Sequence, residues 1–408
     1  MTHALTTLPR SWRALVALLA ATALAVGCGG GSSDSGVGAG GTGSPLSFSQ
    51  GPITGFGSII VNGVHFDDSG ASVVDDDGNT LSGAQSLRLG TVVDVQGGVV
   101  TDDATAATAI HVHVDLVGPV TGAYDAGTGR LAVLGQAVRV VSVTALDGFS
   151  GGAAAIPVGS VVAVSALYDK ASGVYVATRI EPAPNAPRFA IRGAPTAVDT
   201  TAHAFTIGTA VFSYGSLAPP ASFAVGQTLR AVLAKAQDNQ GRWVVTAFGQ
   251  ALPSLPDGRR GGLQGVVDSV TDATHFVVDG VSVDASAASV TPAGSTIAVQ
   301  SRVEVHGTVV GGVLVATSVQ VDAGDDGQDD HGGNGGNGGR FEIVGAILGL
   351  DTAHQTLTMR GPTTVSYATA SFAGGKSNDL AVGKSIEVKG NLSADGGEVI
   401  ATKIKFGH

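Results

Sequence analysis

A nine-residue phrase, VGKSIEVKG at 382–390, recurs through the chain. Its other forms are LGTVVDVQG from Leu89, VGSVVAVSA from Val158, VGQTLRAVL from Val225 and VQSRVEVHG from Val299. Every copy alternates with a period of two, which is the period of a β-strand. Aligned, the copies place Val93, Val162, Leu229, Val303 and Ile386 at one inward position, and Val95, Val164, Ala231, Val305 and Val388 at the next. Between them stand Asp94, Ala163, Arg230, Glu304 and Glu387, expected to face solvent. Such alternation describes an antiparallel sheet with one face buried. Gly90, Gly159, Gly226 and Gly383 precede the strand, where a turn of positive φ is expected. The fourth copy has Gln300 there, so its turn must differ or carry strain.

Around this phrase each copy repeats a longer pattern. A glycine-bearing strand opens it: ITGFGSI, VTGAYDA, IRGAPTAV, LQGVVDSV or IVGAILGL. A turn rich in Asp, Thr, Gly and His and two short strands follow. An Ala-Thr phrase closes it: ATAIHV, ATRIEP, VTAFGQ, ATSVQV or ATKIKF. The fold expected is all-β, a tandem array of five small antiparallel β-barrel (OB-like) modules, because closure removes exposed strand edges. The modules are set at 51–117, 118–185, 188–250, 261–322 and 341–407, with an acidic Gly-rich linker at 323–340. A chain with few aromatics (5%) and abundant Gly (62 residues) suits small modules better than one large core.

The first 27 residues have the parts of an export signal: Arg10 and Arg13, then the apolar run Ala14 to Ala25. The run is short for a membrane span. Ala25-Val26-Gly27-Cys28 resembles a bacterial lipoprotein signal, although Ala25 stands where Leu is usual. That resemblance implies lipidation of Cys28, removal of residues 1–27 and, with Gly29 next, sorting to the outer membrane. It also accounts for a chain with one cysteine and no possible internal disulfide. Residues 28–50 read as the lipidated Cys and a Gly/Ser tether.

The alternation of xxGxV, FxVxG, L-x-x-G-x-x-V-x-V-x-G and A-T-x-I resembles the bacterial domain-of-unknown-function family numbered 5666, often found as tandem copies in exported proteins. The resemblance covers nearly all of the mature chain and implies no catalytic residues. The third copy departs most, with Val245-Thr246-Ala247-Phe248 in place of Ala-Thr-x-Ile.

The chemistry visible in the sequence is sparse. No Walker A loop or HExxH helix is present. No catalytic residue and no cofactor is expected, and the chain is read as not an enzyme. His111, His113 and Asp115 alternate in HVHVD and are candidate metal ligands on one strand face. The plainer reading is a solvent-facing strand with Ile110, Val112 and Val114 inward. Asp75, Asp77 and Asn79 match the start of a calcium loop, but Thr80 stands where Gly is needed and Ser86 where Glu is needed, so Asp77-Gly78 reads better as a turn. Trp243, Tyr168 and Tyr175 are read as packing residues before saccharide ligands. The net charge is −11, and −13 once Arg10 and Arg13 leave with the leader, which disfavours nucleic acid as a partner. The function expected is a non-catalytic, lipid-anchored cell-envelope protein at the outer membrane whose modules bind or space an envelope protein or glycan. The alternative is a ligand-, oligosaccharide- or metal-binding barrel with its site in one module.

Overall fold

A computed structural model of the chain describes residues 47–82, 86–249, 255, 257–321 and 341–407. The leader, Cys28 and the acidic linker 323–340 lie outside the described residues. The described chain is almost entirely β. Strands β1 (Ser47–Phe56), β2 (Ile59–Val61), β3 (Val64–Asp67), β4 (Ser72–Asp75), β5 (Val92–Gly97) and β6 (Ala104–His113) close into a ring. Its order is β1, β2, β3 with β4, β6, β5 and back to β1; β3 and β4 run parallel to β6 and all other pairs are antiparallel.

The same ring recurs. The β7 barrel contains β7 (Leu116–Asp125), β8 (Arg130–Val133), β9 (Gln136–Leu146), β10 (Val161–Asp169) and β11 (Val174–Pro182). The β12 barrel contains β12 (Phe189–Gly193), β13 (Ala197–Asp199), β14 (Ala204–Ile207), β15 (Ala210–Ser213), β16 (Leu229–Gln237) and β17 (Trp243–Gly249). The β18 barrel contains β18 (Arg260–Val270), β19 (His275–Val278), β20 (Val281–Asp284), β21 (Ser289–Thr291), β22 (Arg302–Val310) and β23 (Val313–Val321). The β24 barrel contains β24 (Phe341–Ala346), β25 (Gly349–Asp351), β26 (Thr356–Met359), β27 (Thr363–Ser366), β28 (Ser371–Ala373), β29 (Ser385–Leu392) and β30 (Val399–Phe406). In each, a middle strand runs parallel to the last: β9 to β11, β15 to β17, β20 to β23 and β27 to β30.

Period-two patterning explains the cores. Val93, Val162, Leu229, Val303 and Ile386 are buried, as are Val95, Val164, Ala231, Val305 and Val388. The Ala-Thr phrase has a separate cause. The register slips where it meets the phrase strand, pairing Gly97 with Ala107, Ala166 with Ala177, Leu233 with Val245, Gly307 with Ala316 and Gly390 with Ala401. The extra residue is the threonine each time. Its hydroxyl donates to the carbonyl opposite: Thr108 to Gln96, Thr178 to Ser165, Thr246 to Val232, Thr317 to His306 and Thr402 to Lys389, at 3.0–3.2 Å. The repeated threonine therefore satisfies a carbonyl that the β-bulge would otherwise leave without a ladder partner.

The barrels are joined through their outward faces. Strand β1 pairs in parallel with β18 over Ser47–Gln50 and with β24 over Gly55–Phe56, and β7 pairs antiparallel with β12. One apolar cluster runs from Ile53 and Phe66 to Ile343 and Ile404, and another from Leu116 and Ile180 to Ile191 and Leu229. Two expectations change as a result. The last four residues of the expected tether are strand, because Ser47, Ser49 and Gln50 are buried between β5 and β18, where small side chains allow close approach. The outward positions Asp94 and Arg230 do not face open solvent: Arg230 is 5% exposed and lies against Asp76 of the β1 barrel, and Asp94 is bonded to the buried His113.

Candidate functional site

Where the β1, β7, β12 and β18 barrels meet, the chain buries a cluster of charges. Asp76 and Asp77 come from the turn after β4, Asp94 from β5, His111 and His113 from β6, and Asp115 from the two-residue link to β7. Facing them are Arg192 of β12 and Arg230 of β16, which are directly opposite each other in the antiparallel ladder. Two like charges paired across strands repel. They are tolerated here because carboxylates of another barrel lie between and beside them.

His113 is the centre. Only 3% exposed, it meets Asp76 Oδ1 through Nδ1 at 3.0 Å and Asp94 Oδ2 through Nε2 at 2.7 Å. Burial opposes its charge, but the Asp94 charge and the two carboxylate bonds outweigh burial and raise its pKa to about 9. It is an imidazolium held between two carboxylates. Asp76 also bonds Arg192, accepts the Val114 N–H at 3.0 Å and lies 3.6 Å from Arg230. Burial works against its ionisation; the bond from His113 and the charge of Arg192 prevail and hold it well below the ordinary carboxylate range. Asp77 pairs with Arg230 and Arg188, each at 2.8 Å.

Beside this cluster is a cavity of about 20 Å³, lined by His113, Asp115, Arg192, Gln50, Tyr168 and Asp279 among others. That volume admits one water molecule. Burial pushes Asp115 up to about 6 and Asp279 up to about 7. Asp115 accepts the Ala166 N–H at 2.8 Å, and Gln50 donates to Asp279 at 3.2 Å.

The three candidate metal ligands separate. His111 and His113 converge with Asp76, their ligand atoms within 4.8 Å of one another. Asp115 turns instead to Ala166 and to Arg192, 3.6 Å away. The outward reading of the HVHVD strand holds relative to its own barrel, since Ile110 and Val112 fill the core. The water expected on that face is replaced by another barrel. The Asp75 loop is the turn expected: Asp75 accepts the N–H groups of Asp77 and Asn79, and Gly78 has φ 77°. Trp243 and Tyr175 are packing residues, with Trp243 edge-on to Phe189 and Tyr175 tilted against Tyr168 while donating to the Arg192 carbonyl. Asp76, Arg192 and Asp279 were not singled out by sequence reasoning. The available signal was the pair of arginines at aligned outward positions of one copy, a repulsion that demands acids from elsewhere.

Fold and site together define a tandem β-barrel protein whose barrels are locked by buried ion pairs. Residues 117–181, 264–320 and 344–405 match the family model described as Domain of unknown function (DUF5666). The chain thus carries tandem copies of this domain over those three segments. No curated protein matches it.

Proposed function

We propose that the chain is a non-catalytic, lipid-anchored envelope protein whose five OB-like modules form one body that binds or spaces other envelope components. The observation that carries this reading is the fate of the ionisable groups. Those that gather in the buried cluster pair with each other: His113 with Asp76 and Asp94 inside the β1 barrel, and Arg192 with Asp76 and Arg230 with Asp77 across a barrel boundary. A histidine donating through both nitrogens to carboxylates cannot take a proton as a general base. The ring order, with a middle strand parallel to the last, supports the OB-like reading. Acidity argues against nucleic acid, which requires a cationic surface.

Lipid anchoring is tested by metabolic labelling with a fatty acid. Label should enter the chain and be lost in Cys28→Ser; label retained by that variant sinks the anchor. Crosslinking in intact envelopes should then recover a defined protein or glycan partner, and turnover of a substrate by the purified chain would exclude the non-catalytic reading.

The convergence of His111, His113 and Asp76 favours metal binding as a second reading. The Arg192 guanidinium, bonded to Asp76 and 3.2 Å from His113 Nδ1, already places a cation there. Calorimetric titration of the intact chain with zinc and copper should therefore show no site that His113→Gln abolishes.

A further inference from the structure

In the β12 barrel one edge is bare that its neighbours cover. Beyond the bulge, the last strand is flanked by β4 on β6, by β21 on β23, by β28 on β30, and by the far half of β9 on β11. In the β12 barrel, β15 reaches only Trp243 and Val244 of β17. Among the described residues no backbone hydrogen bond joins the 214–228 connection to β17 from Val245 to Gly249. Elsewhere a serine of the covering strand donates to the bulge threonine carbonyl: Ser371 to Thr402 at 2.9 Å, Ser72 to Thr108 and Ser289 to Thr317 at 3.4 Å. Here Thr246 and Ala247 are exposed.

The sequence supplies the reason. Ala71-Ser72-Val73, Ala288-Ser289-Val290 and Ala370-Ser371-Phe372 have a counterpart in Ala221-Ser222-Phe223. Nine residues separate Phe372 from Val382 and eight separate Val290 from Val299, but only Ala224 separates Phe223 from Val225. The short link, with a turn in which the Phe223 N–H donates to the Pro220 carbonyl at 2.9 Å, keeps this segment off the sheet. Phe223 still reaches inward, packing with Phe205, Tyr214 and Phe248. The core is closed and the backbone edge is open. That edge, Val-Thr-Ala-Phe-Gly, has none of the charges or prolines that guard exposed strands.

We propose that the Val245–Gly249 edge of β17 binds an extended polypeptide segment of a partner protein, added as a parallel strand. The neighbouring barrels state its chemistry: an uncharged strand with a small hydroxyl residue placed on the Thr246 carbonyl. Main-chain hydrogen bonds supply the affinity, as in other strand additions. The site is a property of the barrel and holds whether or not the chain is lipid-anchored.

The test titrates the intact chain with a labelled peptide of the β28 sequence, TASFAGG (369–375). Saturable binding is expected, with N-methylation of alternate peptide amides weakening it roughly tenfold, the loss of two hydrogen bonds. A chain in which the sequence 373–381 replaces Ala224 should seat its own Ser222–Phe223 on β17 and lose peptide binding. Absent binding, equal binding of the N-methylated peptide, or undiminished binding by the lengthened chain each overturns the proposal. Dimerisation of the free chain that the lengthened link abolishes would overturn the partner assignment, placing a second copy on the edge.

Discussion

The outward faces of the β1 and β18 barrels begin from the same sequence logic and end in different surroundings. Each carries a carboxylate at the outward position of the phrase strand, Asp94 or Glu304, and each bonds it to a histidine at 2.7 Å. On the β1 barrel the histidine is His113, buried under Arg192 of another barrel. On the β18 barrel it is His306, with more than a third of its side chain exposed. Alternation decides which face a residue takes relative to its own barrel. Whether that face meets water depends on which barrels dock, and docking is decided by residues distant in the chain.

The largest expected effect breaks the buried side of this comparison. Arg192→Met removes the cation bonded to Asp76 and near Asp115 while keeping much of the apolar bulk. Removing one partner of a buried pair leaves an uncompensated charge and costs about 3–5 kcal/mol. Glu304→Gln on the exposed counterpart should cost no more than about 1 kcal/mol. Urea unfolding of the two variants reads the difference. Equal losses would mean that the junction is no more stabilising than a surface pair.

The pH dependence of stability sharpens the same contrast. The raised pKa of His113 contributes stability that is complete below the unfolded value near 6.5 and disappears as pH rises through about 9. On order of magnitude this is about 3 kcal/mol. Asp115 and Asp279, raised to about 6 and about 7, act in the same direction from pH 4 upward. Asp76 acts oppositely: its lowered pKa stabilises above the unfolded value of 3.8 and that contribution is lost as pH falls. The melting temperature should peak between roughly pH 4 and 6 and decline toward pH 9. His113→Gln should flatten the alkaline side of that curve, and an unchanged slope would refute the buried imidazolium.

A third test compares one turn in two places. Gly90 and Gly383 both lead into the phrase strand with positive φ, 79° and 85°. A Cβ on Gly383 would meet nothing within 4 Å, whereas one on Gly90 would lie against the Thr178 carbonyl of the β7 barrel. Both alanine variants carry about 1 kcal/mol of left-handed strain. Gly90→Ala adds overpacking of about 1–3 kcal/mol, so its melting temperature should fall further. Equal falls would show that the contact between the two barrels yields freely.

Much of each barrel was legible because its causes are local. Period two located Val93, Val95 and their counterparts inside, and the glycine before the strand announced the turn. The Ala-Thr phrase was visible as repetition, but its function depends on a bulge that only pairing register reveals. The junction was less legible. Asp76 sits in a run of three aspartates that local chemistry reads as a turn, which it also is. Arg192 occupies a position held by Thr54, Thr121, Gln264 and Val344 in the other copies, and its partner lies 116 residues away. Ser47 to Gln50 read as tether because serine and glutamine signal exposure, yet their small or polar side chains are what a seam between β5 and β18 requires.

The smallest expected effect concerns Gln300, the one phrase turn without glycine. It keeps the turn's conformation, with φ 74°, and its side chain donates to Asp169 of the β7 barrel at 2.8 Å. The strain and the bond oppose each other. Left-handed backbone costs a non-glycine residue about 1 kcal/mol or more, and a hydrogen bond to a charged acceptor returns about 1.5–3 kcal/mol. Gln300→Gly removes both and should change stability by no more than about 1 kcal/mol. Gln300→Ala loses the bond and keeps the strain, so it should be less stable than the glycine variant by about 1 kcal/mol. Unfolding midpoints of the two variants isolate the strain as their difference. If alanine and glycine behave alike, the turn has relaxed, and the bond to Asp169 is then the whole of what Gln300 contributes to holding the β18 barrel against the β7 barrel.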